Sequence, residues 1–492
     1  MKDFEHQIRV VDESWSTPGW NLFCDTGTGK SRMAITTAER LAAAGLINGL
    51  FIIAPGGMYR NWEEQCQLHF TTGFQIKLWR AALTPAARKR FASDAAMTNS
   101  PSDFPILLMN VEAFSSPSGD ATKIAAAFLR SHKCLLVVDE STSIRRPTSA
   151  RTRTILQLSM LAPFRRNLSG FPSPETPADL YSQILMIRPP ESLFPFKSYY
   201  AFRNTFCVVE VEFIRVKGGG FQKVQKITGA QRQSELRELL LNFSSLVSKK
   251  ECLDLPPRVY ERRHVEMTEE QKTLYATAQK KALYAVSVAA SGSPSAEVSV
   301  SNRMGQLEKL HQIACGLIKD DAGTWHHIKT RLYDELIAQL EEIQGKVIIY
   351  SIYTEQIRET VRRLNEHFGD GAAAAFHGET SQDERVALAA RYEDRASRLR
   401  FLVANPATGQ FGWTFVAGGT AIYLSTNHEA EPRHQSEDRL HRIGQVASSV
   451  TYIDFITGSL SEKILTNVMN KRNVAAEIMG PAWSTELYGT KL

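Results

Sequence analysis

The sequence predicts an α/β protein built as two parallel-sheet lobes in tandem, with helical insertions between them, and three observations carry that expectation. Short runs rich in Val, Ile and Leu recur at Leu50 to Ala54, Ile106 to Met109 and Cys134 to Val138, then again at Val347 to Ser351, Phe401 to Ala404, Ala421 to Leu424 and Tyr452 to Ile456. Unbroken apolar runs of this length suit strands buried on both faces of a parallel sheet. Helix-like stretches such as Arg32 to Ala44 lie between the runs, which is the alternation of an α/β fold. The first set closes near Pro190 and the second opens near Gly345, so the expected division is residues 1–257 and residues 258–492.

The middle of the chain reads differently. Glu210 to Gly229 alternates Val, Phe and Ile around Gly218-Gly219-Gly220, most simply a hairpin or an ordered loop excursion, within an insertion of the first lobe spanning about 207–250. Gln231 to Val247, Glu269 to Ala290 and Met304 to Ile318 carry helical spacing, the last two within a helical segment of about 268–330. Ser291-Gly292-Ser293-Pro294-Ser295 is the strongest flexible-loop signal.

Composition bounds the classes available. At 492 residues the chain exceeds one ordinary core, and 43% hydrophobic with 22% charged residues is a globular balance. The net charge of +6 suits a polyanionic partner but is also common among proteins without one. The six cysteines form no CxxC pair and no zinc spacing with histidine, so they read as thiols in a reducing compartment. The start, MKDFEHQIRV, has no apolar stretch behind it, and no run approaches the ~20 residues of a membrane span. A soluble, cytoplasmic protein is expected.

Cys24-Asp25-Thr26-Gly27-Thr28-Gly29-Lys30-Ser31 follows the apolar Asn21-Leu22-Phe23 and precedes a helical stretch, the context a phosphate loop needs. Glycines let backbone N–H groups turn towards phosphate oxygens, Lys30 reaches the terminal phosphates and Ser31 holds Mg²⁺. Cys24 stands where the commonest form of the loop has glycine. Asp139-Glu140 ends the run Cys134 to Val138, and the carboxyl end of a buried strand is where such sheets keep their ligands. A lone acidic pair is as readily a solvated turn; beside a phosphate loop, Asp139 is expected on Mg²⁺ and Glu140 on the attacking water. Arg439 and Arg442, three apart, would share one face of a helix. Such a pair is ordinarily solvated, but its planar, permanently charged forks suit a γ-phosphate.

The segment that carries these arginines, QSEDRLHRIGQ at Gln435 to Gln445, resembles the last motif of the SWI/SNF-type DNA translocases of helicase superfamily two. Further segments are similar to that family along nearly the whole chain. His6-Gln7 resembles its adenine-reading region, FIIAPGGMYRNW at Phe51 to Trp62 its CPxxxxxNW strand and loop, and Asn110 to Phe114 its next track-contacting segment. Asp139 to Ser141 and Arg145-Arg146-Pro147 resemble its acidic box and the turn after it; Leu168-Ser169-Gly170-Phe171-Pro172 resembles its coupling motif LTGTP. Leu255 to Arg258 with Met267 to Gln271, Lys346 to Tyr353, Phe376-His377-Gly378 with Arg385, and NPATGQFGWTF at Asn405 to Phe415 are similar to elements of the join and of its second lobe, the last in the form seen in shorter bacterial and phage members.

The resemblance implies two RecA-like lobes, ATP and Mg²⁺ as cofactors, and duplex DNA as a sequence-tolerant track, in replication, recombination or repair in a bacterial or phage-infected cell. It implies Lys30, Asp139, Glu140, Arg439 and Arg442 as catalytic, with Ser31 and Asp139 on the metal. Gln7, Thr26, Gly27, Thr28, Gly29, Lys30, Ser31 and Gln435 would bind ATP; Pro55, Asn61, Trp62, Asn110, His377, Gly378, Thr408 and Gly412 would touch nucleic acid. Ser141, Phe171 and Trp413-Thr414 depart from the family pattern, which bears on coupling more than on hydrolysis. An ATP-gated clamp that does not move, and an RNA-directed helicase, stay open.

Overall fold

The structure is a computed structural model that describes residues 3–79, 104–215, 221–291, 300–320, 322–408 and 413–479. The glycines Gly218 to Gly220, the loop residues Gly292 to Ser295, Gly412 and the stretch after Met479 lie outside the described residues. The chain divides into two compact units. Among the described residues, one takes those up to Glu210, Gln225–Asp254 and those from Lys471 to Met479; the other takes Val211–Val224 and Leu255–Asn470.

Six strands run in order through the first unit: β1 Gly19–Cys24, β2 Gly49–Ala54, β3 Phe74–Leu78, β4 Phe104–Asn110, β5 Cys134–Val138 and β6 Phe164–Ser169. The next two, β7 Cys207–Arg215 and β8 Phe221–Ala230, pair as a two-stranded sheet of their own, as the alternation there predicts. Strand β9, Ser244–Val247, rejoins the main sheet, whose order is β3-β4-β2-β5-β6-β1-β9. Every pairing in that sheet is parallel.

The apolar runs are explained by where their residues go. In β5, Cys134, Leu136 and Val138 enter one core while Leu135 and Val137 enter the core on the opposite face. In β2, Phe51 and Ile53 share the first core, and Leu50, Ile52 and Ala54 share the second. With period-two alternation and helices on both faces, no position is left for a polar side chain.

Strand β6 breaks that rule and carries no apolar signature. It reads Phe-Arg-Arg-Asn-Leu-Ser, yet Arg166 is fully buried. Its guanidinium donates to the carbonyl oxygens of Ser14 (2.6 Å), Trp15 (3.2 Å), Thr17 (3.0 Å) and Arg165 (2.7 Å), which ties the end of the helix Glu5–Ser14 to the sheet. Burial pulls its pKa down to about 9. Strand β9 also corrects an expectation: the helical spacing over Gln231 to Val247 holds only for the helix Gln233–Leu241. Ser244 and Ser245 instead accept from Asn21 Nδ2 (3.0 Å) and Trp20 Nε1 (2.9 Å) of β1, side-chain bonds that help hold the edge strand in register.

The second unit begins with β10 Arg258–His264 and the helices Glu269–Ser291 and Val300–Ala314. The latter stops short of the expected Ile318 because Gly316, at φ 78°, turns the chain into the short antiparallel pair β11 Leu317–Lys319 and β12 Trp325–His327. Then come β13 Lys346–Tyr350, β14 Ala373–Phe376, β15 Phe401–Ala404, β16 Gly418–Tyr423 and β17 Val450–Ile456, ordered β10-β17-β16-β13-β15-β14 and parallel throughout. Again the runs split between two faces: Val347 and Ile349 on one, Ile348 and Tyr350 on the other.

The last described helix, Gly458–Met479, belongs from Lys471 onward to the first unit, where Ala476, Ile478 and Met479 are buried in its core and Lys471 pairs with Glu175. No helix among the described residues is long and apolar enough to cross a membrane.

Candidate nucleotide site

Sheet order assembles the first unit's site. Strands β5, β6 and β1 are neighbours, so three loops far apart in sequence leave adjacent carboxyl ends: Asp139 to Ser141 after β5, Gly170 to Pro172 after β6, and Asp25 to Gly29 after β1. The carboxyl edge of a parallel sheet is where ligands bind in such folds.

The loop after β1 has the geometry of a phosphate cradle. Gly27 and Gly29 sit at φ 86° and 90°, and the helix Lys30–Ala43 starts at once. The carbonyl of Thr28 accepts from His6 Nε2 (2.8 Å) and Gln7 Nε2 (3.0 Å), so the first helix is tied to the loop. A Cβ at Gly29 would stand 2.1 Å from Gln7 Nε2, a second reason for glycine there. Lys30 Nζ donates to the carbonyls of Cys24 (3.0 Å) and Asp25 (3.3 Å), folded over the loop it serves. Thr28 Oγ1 donates to Asp25 O at 2.7 Å, and Asp25 Oδ1 accepts from Thr26 N at 2.8 Å. Buried Lys249 stands 3.9 Å from Asp25, bracing the loop from the helix Lys249–Cys252. Cys24 is wholly buried, and burial pushes its thiol up to about 12, an unreactive sulfur.

Asp139 is buried at the end of β5. Its Oδ2 accepts from Trp62 Nε1 at 2.8 Å and its Oδ1 from the Glu140 backbone N–H at 2.9 Å. Desolvation nonetheless raises its pKa, opposed by the Trp62 bond and then by the charge of Lys30. A carboxylate in that condition is short of positive charge, and with the Ser31 hydroxyl it offers the hard oxygen donors that suit Mg²⁺. Glu140 adopts φ 45°, ψ 60°, the left-handed region that costs an ordinary residue roughly 1–2 kcal/mol. Strain of this kind marks functional turns when the surroundings hold it in place. Gly170 closes the site: a Cβ there would lie 2.6 Å from Thr26 Oγ1 and 3.5 Å from Lys30 Nζ.

Trp62 departs from its expected place on nucleic acid. It is wholly buried, and its polar atom serves Asp139. Pro55 is buried, while Asn61 and Asn110 are half-buried, Asn110 donating to Glu112 at 3.0 Å.

In the second unit, Gln435 lies in the last turn of a helix that covers only Ala430–Glu437. Arg439 and Arg442 are therefore not on a helix. They follow it on tight turns, with Arg439 N bonded to Ser436 O and Arg442 N to Leu440 O. The pair converges all the same: Arg439 Nη1 and Arg442 Nη1 lie 3.2 and 3.4 Å from the carbonyl of Trp413, and Arg442 also reaches Thr414 Oγ1 at 3.1 Å. Beneath them is a buried ion network. Arg433 donates to Glu437 (2.6 Å) and to both oxygens of Asp454 (2.5 and 3.0 Å), Tyr260 donates to Glu437 (2.8 Å), and Arg258 pairs with Asp438 (3.1 Å). His377 is nearly buried, with its backbone N–H on Thr380 Oγ1; Gly378 is exposed and Thr408 half-buried.

The sequence family described as SNF2-related domain matches residues 11–316, well over half of the chain. The chain belongs to the SNF2-related family. The helicase conserved C-terminal domain follows at residues 329–444. Among relatives, the chain is 21% identical over 426 residues to the human "DNA annealing helicase and endonuclease ZRANB3", covering 86% of this chain and 35% of that protein. It is 23% identical to the mouse protein of that name over 72% of this chain and 30% of the relative. It is also 24% identical to the mouse "Chromodomain-helicase-DNA-binding protein 1-like" over 90% of this chain and 45% of that one. The chain thus spans about a third of the length of the first two relatives. A solved structure, the Sulfolobus solfataricus SWI2/SNF2 ATPase core in complex with dsDNA, aligns over 99% of this chain and 96% of its own at 19% identity, with a TM-score of 0.40.

Several buried polar residues of this SNF2-related chain gave no sequence signal. Lys249 and Arg433 are charged residues on unremarkable stretches, and Gln183 looks like one polar residue in an apolar helix. Only the fold shows that each satisfies a buried group.

Proposed function

We propose that the chain is an ATP-dependent DNA motor that hydrolyses ATP on binding duplex DNA, in replication, recombination or repair. The observation that carries the proposal is the convergence of the Lys30 loop, Asp139-Glu140 and Gly170 at the carboxyl ends of three adjacent strands. In this reading the loop amides and Lys30 hold the phosphates, the ammonium leaving its carbonyl partners for phosphate oxygens. Ser31 and Asp139 would hold Mg²⁺, which when bound neutralises phosphate charge. Glu140 orients the attacking water and takes its proton. Arg439 and Arg442 are the cations that offset charge growing on the γ-phosphoryl group. Family membership and the named relatives support DNA as the partner, gripped through backbone contacts that carry no base information.

The test is ATP turnover measured with duplex DNA, single-stranded DNA and RNA. Duplex DNA should stimulate most, Lys30→Ala should abolish turnover, and Arg442→Ala should lower it by roughly a thousandfold with ATP binding retained. Stimulation by RNA alone would turn the assignment to an RNA-directed helicase. Displacement of a third strand from a triplex separates a moving motor from a static clamp.

A further inference from the structure

One wholly buried polar side chain has no part in the chemistry above. Gln183, on the helix Leu180–Ile187, lies between two of the three loops of the site. Ser141 Oγ donates to Gln183 Oε1 at 2.7 Å. From the same amide, Nε2 donates to Pro172 O at 2.7 Å and to Asp179 O at 2.9 Å. The Gln183 backbone carbonyl accepts from Asn167 Nδ2 of β6 at 2.6 Å, so the residue is anchored as well as bonded.

The two ends of that amide matter. Ser141 directly follows Glu140, whose left-handed backbone must be held by its neighbours; Ser143 N, bonded to Glu140 O at 2.9 Å, is one restraint and the Ser141 hydroxyl a second. Pro172 ends the loop whose Gly170 touches Thr26 and Lys30 so closely that a methyl group would not fit. Ser141 and Gln183 are both wholly buried, so solvent does not stand in for a lost bond. A planar amide bonded at both ends cannot follow one partner without pulling on the other.

We propose that Gln183 is a positioning residue that ties the loop Gly170 to Pro172 to the turn carrying Glu140, so that what occupies the phosphate loop sets the placement of the water-orienting carboxylate. This inference rests on the proposed ATPase activity for its kinetic consequence, and on packing alone for its structural one.

The test uses the full chain and three variants: Gln183→Met, which keeps the volume and loses all three side-chain amide bonds, Ser141→Ala, and the two combined. Gln183→Met should lower DNA-stimulated kcat about tenfold, with the Kd for a fluorescent ATP analogue held within about twofold. Ser141→Ala should lower kcat by a smaller factor, and the combined variant should be no slower than Gln183→Met, because both cut one path. Amide exchange gives a readout apart from activity: a non-hydrolysable ATP analogue should slow exchange at residues 141–145 in the wild type and leave it unchanged in Gln183→Met. Wild-type kcat in Gln183→Met, additive losses in the combined variant, or an unchanged exchange response would each overturn the proposal. If Gln183→Met does not fold, Ser141→Ala decides, since unchanged kcat and exchange there count against it. A wild-type chain that hydrolyses no ATP would instead sink the ATPase reading, and the exchange comparison would still judge Gln183.

Discussion

Trp62 Nε1 donates to Asp139 Oδ2 at 2.8 Å, a buried bond between a helix after β2 and the acid at the end of β5. It is the largest influence lowering the Asp139 pKa against desolvation, ahead of Lys30. Trp62→Phe keeps the ring and removes the donor. The carboxyl should then protonate more readily, so the acid limb of the kcat/KM profile should move to higher pH. With Asp139 in its proposed place on Mg²⁺, the apparent Mg²⁺ affinity should fall by roughly 10–100-fold, as when the support of a metal ligand is lost. Titrating Mg²⁺ at fixed ATP in both proteins checks this.

Gly170 has no room for a methyl group beside Thr26. Gly170→Ala should press on the phosphate loop at a cost of about 1–3 kcal/mol, or roughly 5- to 150-fold weaker ATP binding. Because the nearest atom is Thr26 Oγ1 at 2.6 Å, adding Thr26→Ala should recover much of the loss. Nucleotide affinities of the single and double variants decide it; no recovery would place the strain elsewhere.

Arg433 is buried against two carboxylates, Glu437 and Asp454, with its guanidinium 3.4 Å from the centre of the Tyr423 ring. Arg433→Met strands both charges, and unfolding in urea should show the second unit weakened by about 3–5 kcal/mol. Arg433→Lys should not restore it, because an ammonium lacks the fork that serves both partners at once. A variant as stable as wild type would show that the network contributes nothing net.

His311 is buried, bonded through Nδ1 to Tyr353 OH at 2.9 Å, and burial lowers its pKa from 6.5 to about 4. The unfolded chain takes up a proton there near pH 6.5 while the folded chain does not, so stability is full above that pH and is lost as pH falls towards 4. Between pH 7.5 and pH 5 the wild type should lose about 2 kcal/mol more than His311→Gln. Asp179, in the first unit, has a pKa raised to about 6 by burial and acts in the opposite sense, costing stability as pH rises from its ordinary 3.8. The comparison of variant with wild type removes that background.

Local patterns carried what the sequence alone determined. Cys134 to Val138 reads as a strand covered on both faces because five consecutive apolar residues leave no wet side. The glycines before Lys30 read as a phosphate loop because only a backbone free of Cβ takes φ near 90° there. Tertiary structure decided the rest, wherever a polar group's partner lies far along the chain. Strand β6 was invisible because the carbonyls that satisfy Arg166 come from residues about 150 positions earlier. The buried bond of Trp62 is hidden for the same reason, its partner Asp139 being 77 residues away. The spacing of Arg439 and Arg442 suggests a helical face, whereas the helix stops at Glu437 and tight turns bring the pair together instead. A burial pattern is written in neighbouring residues, but a buried donor's acceptor is chosen by the fold, and no short window of sequence contains both.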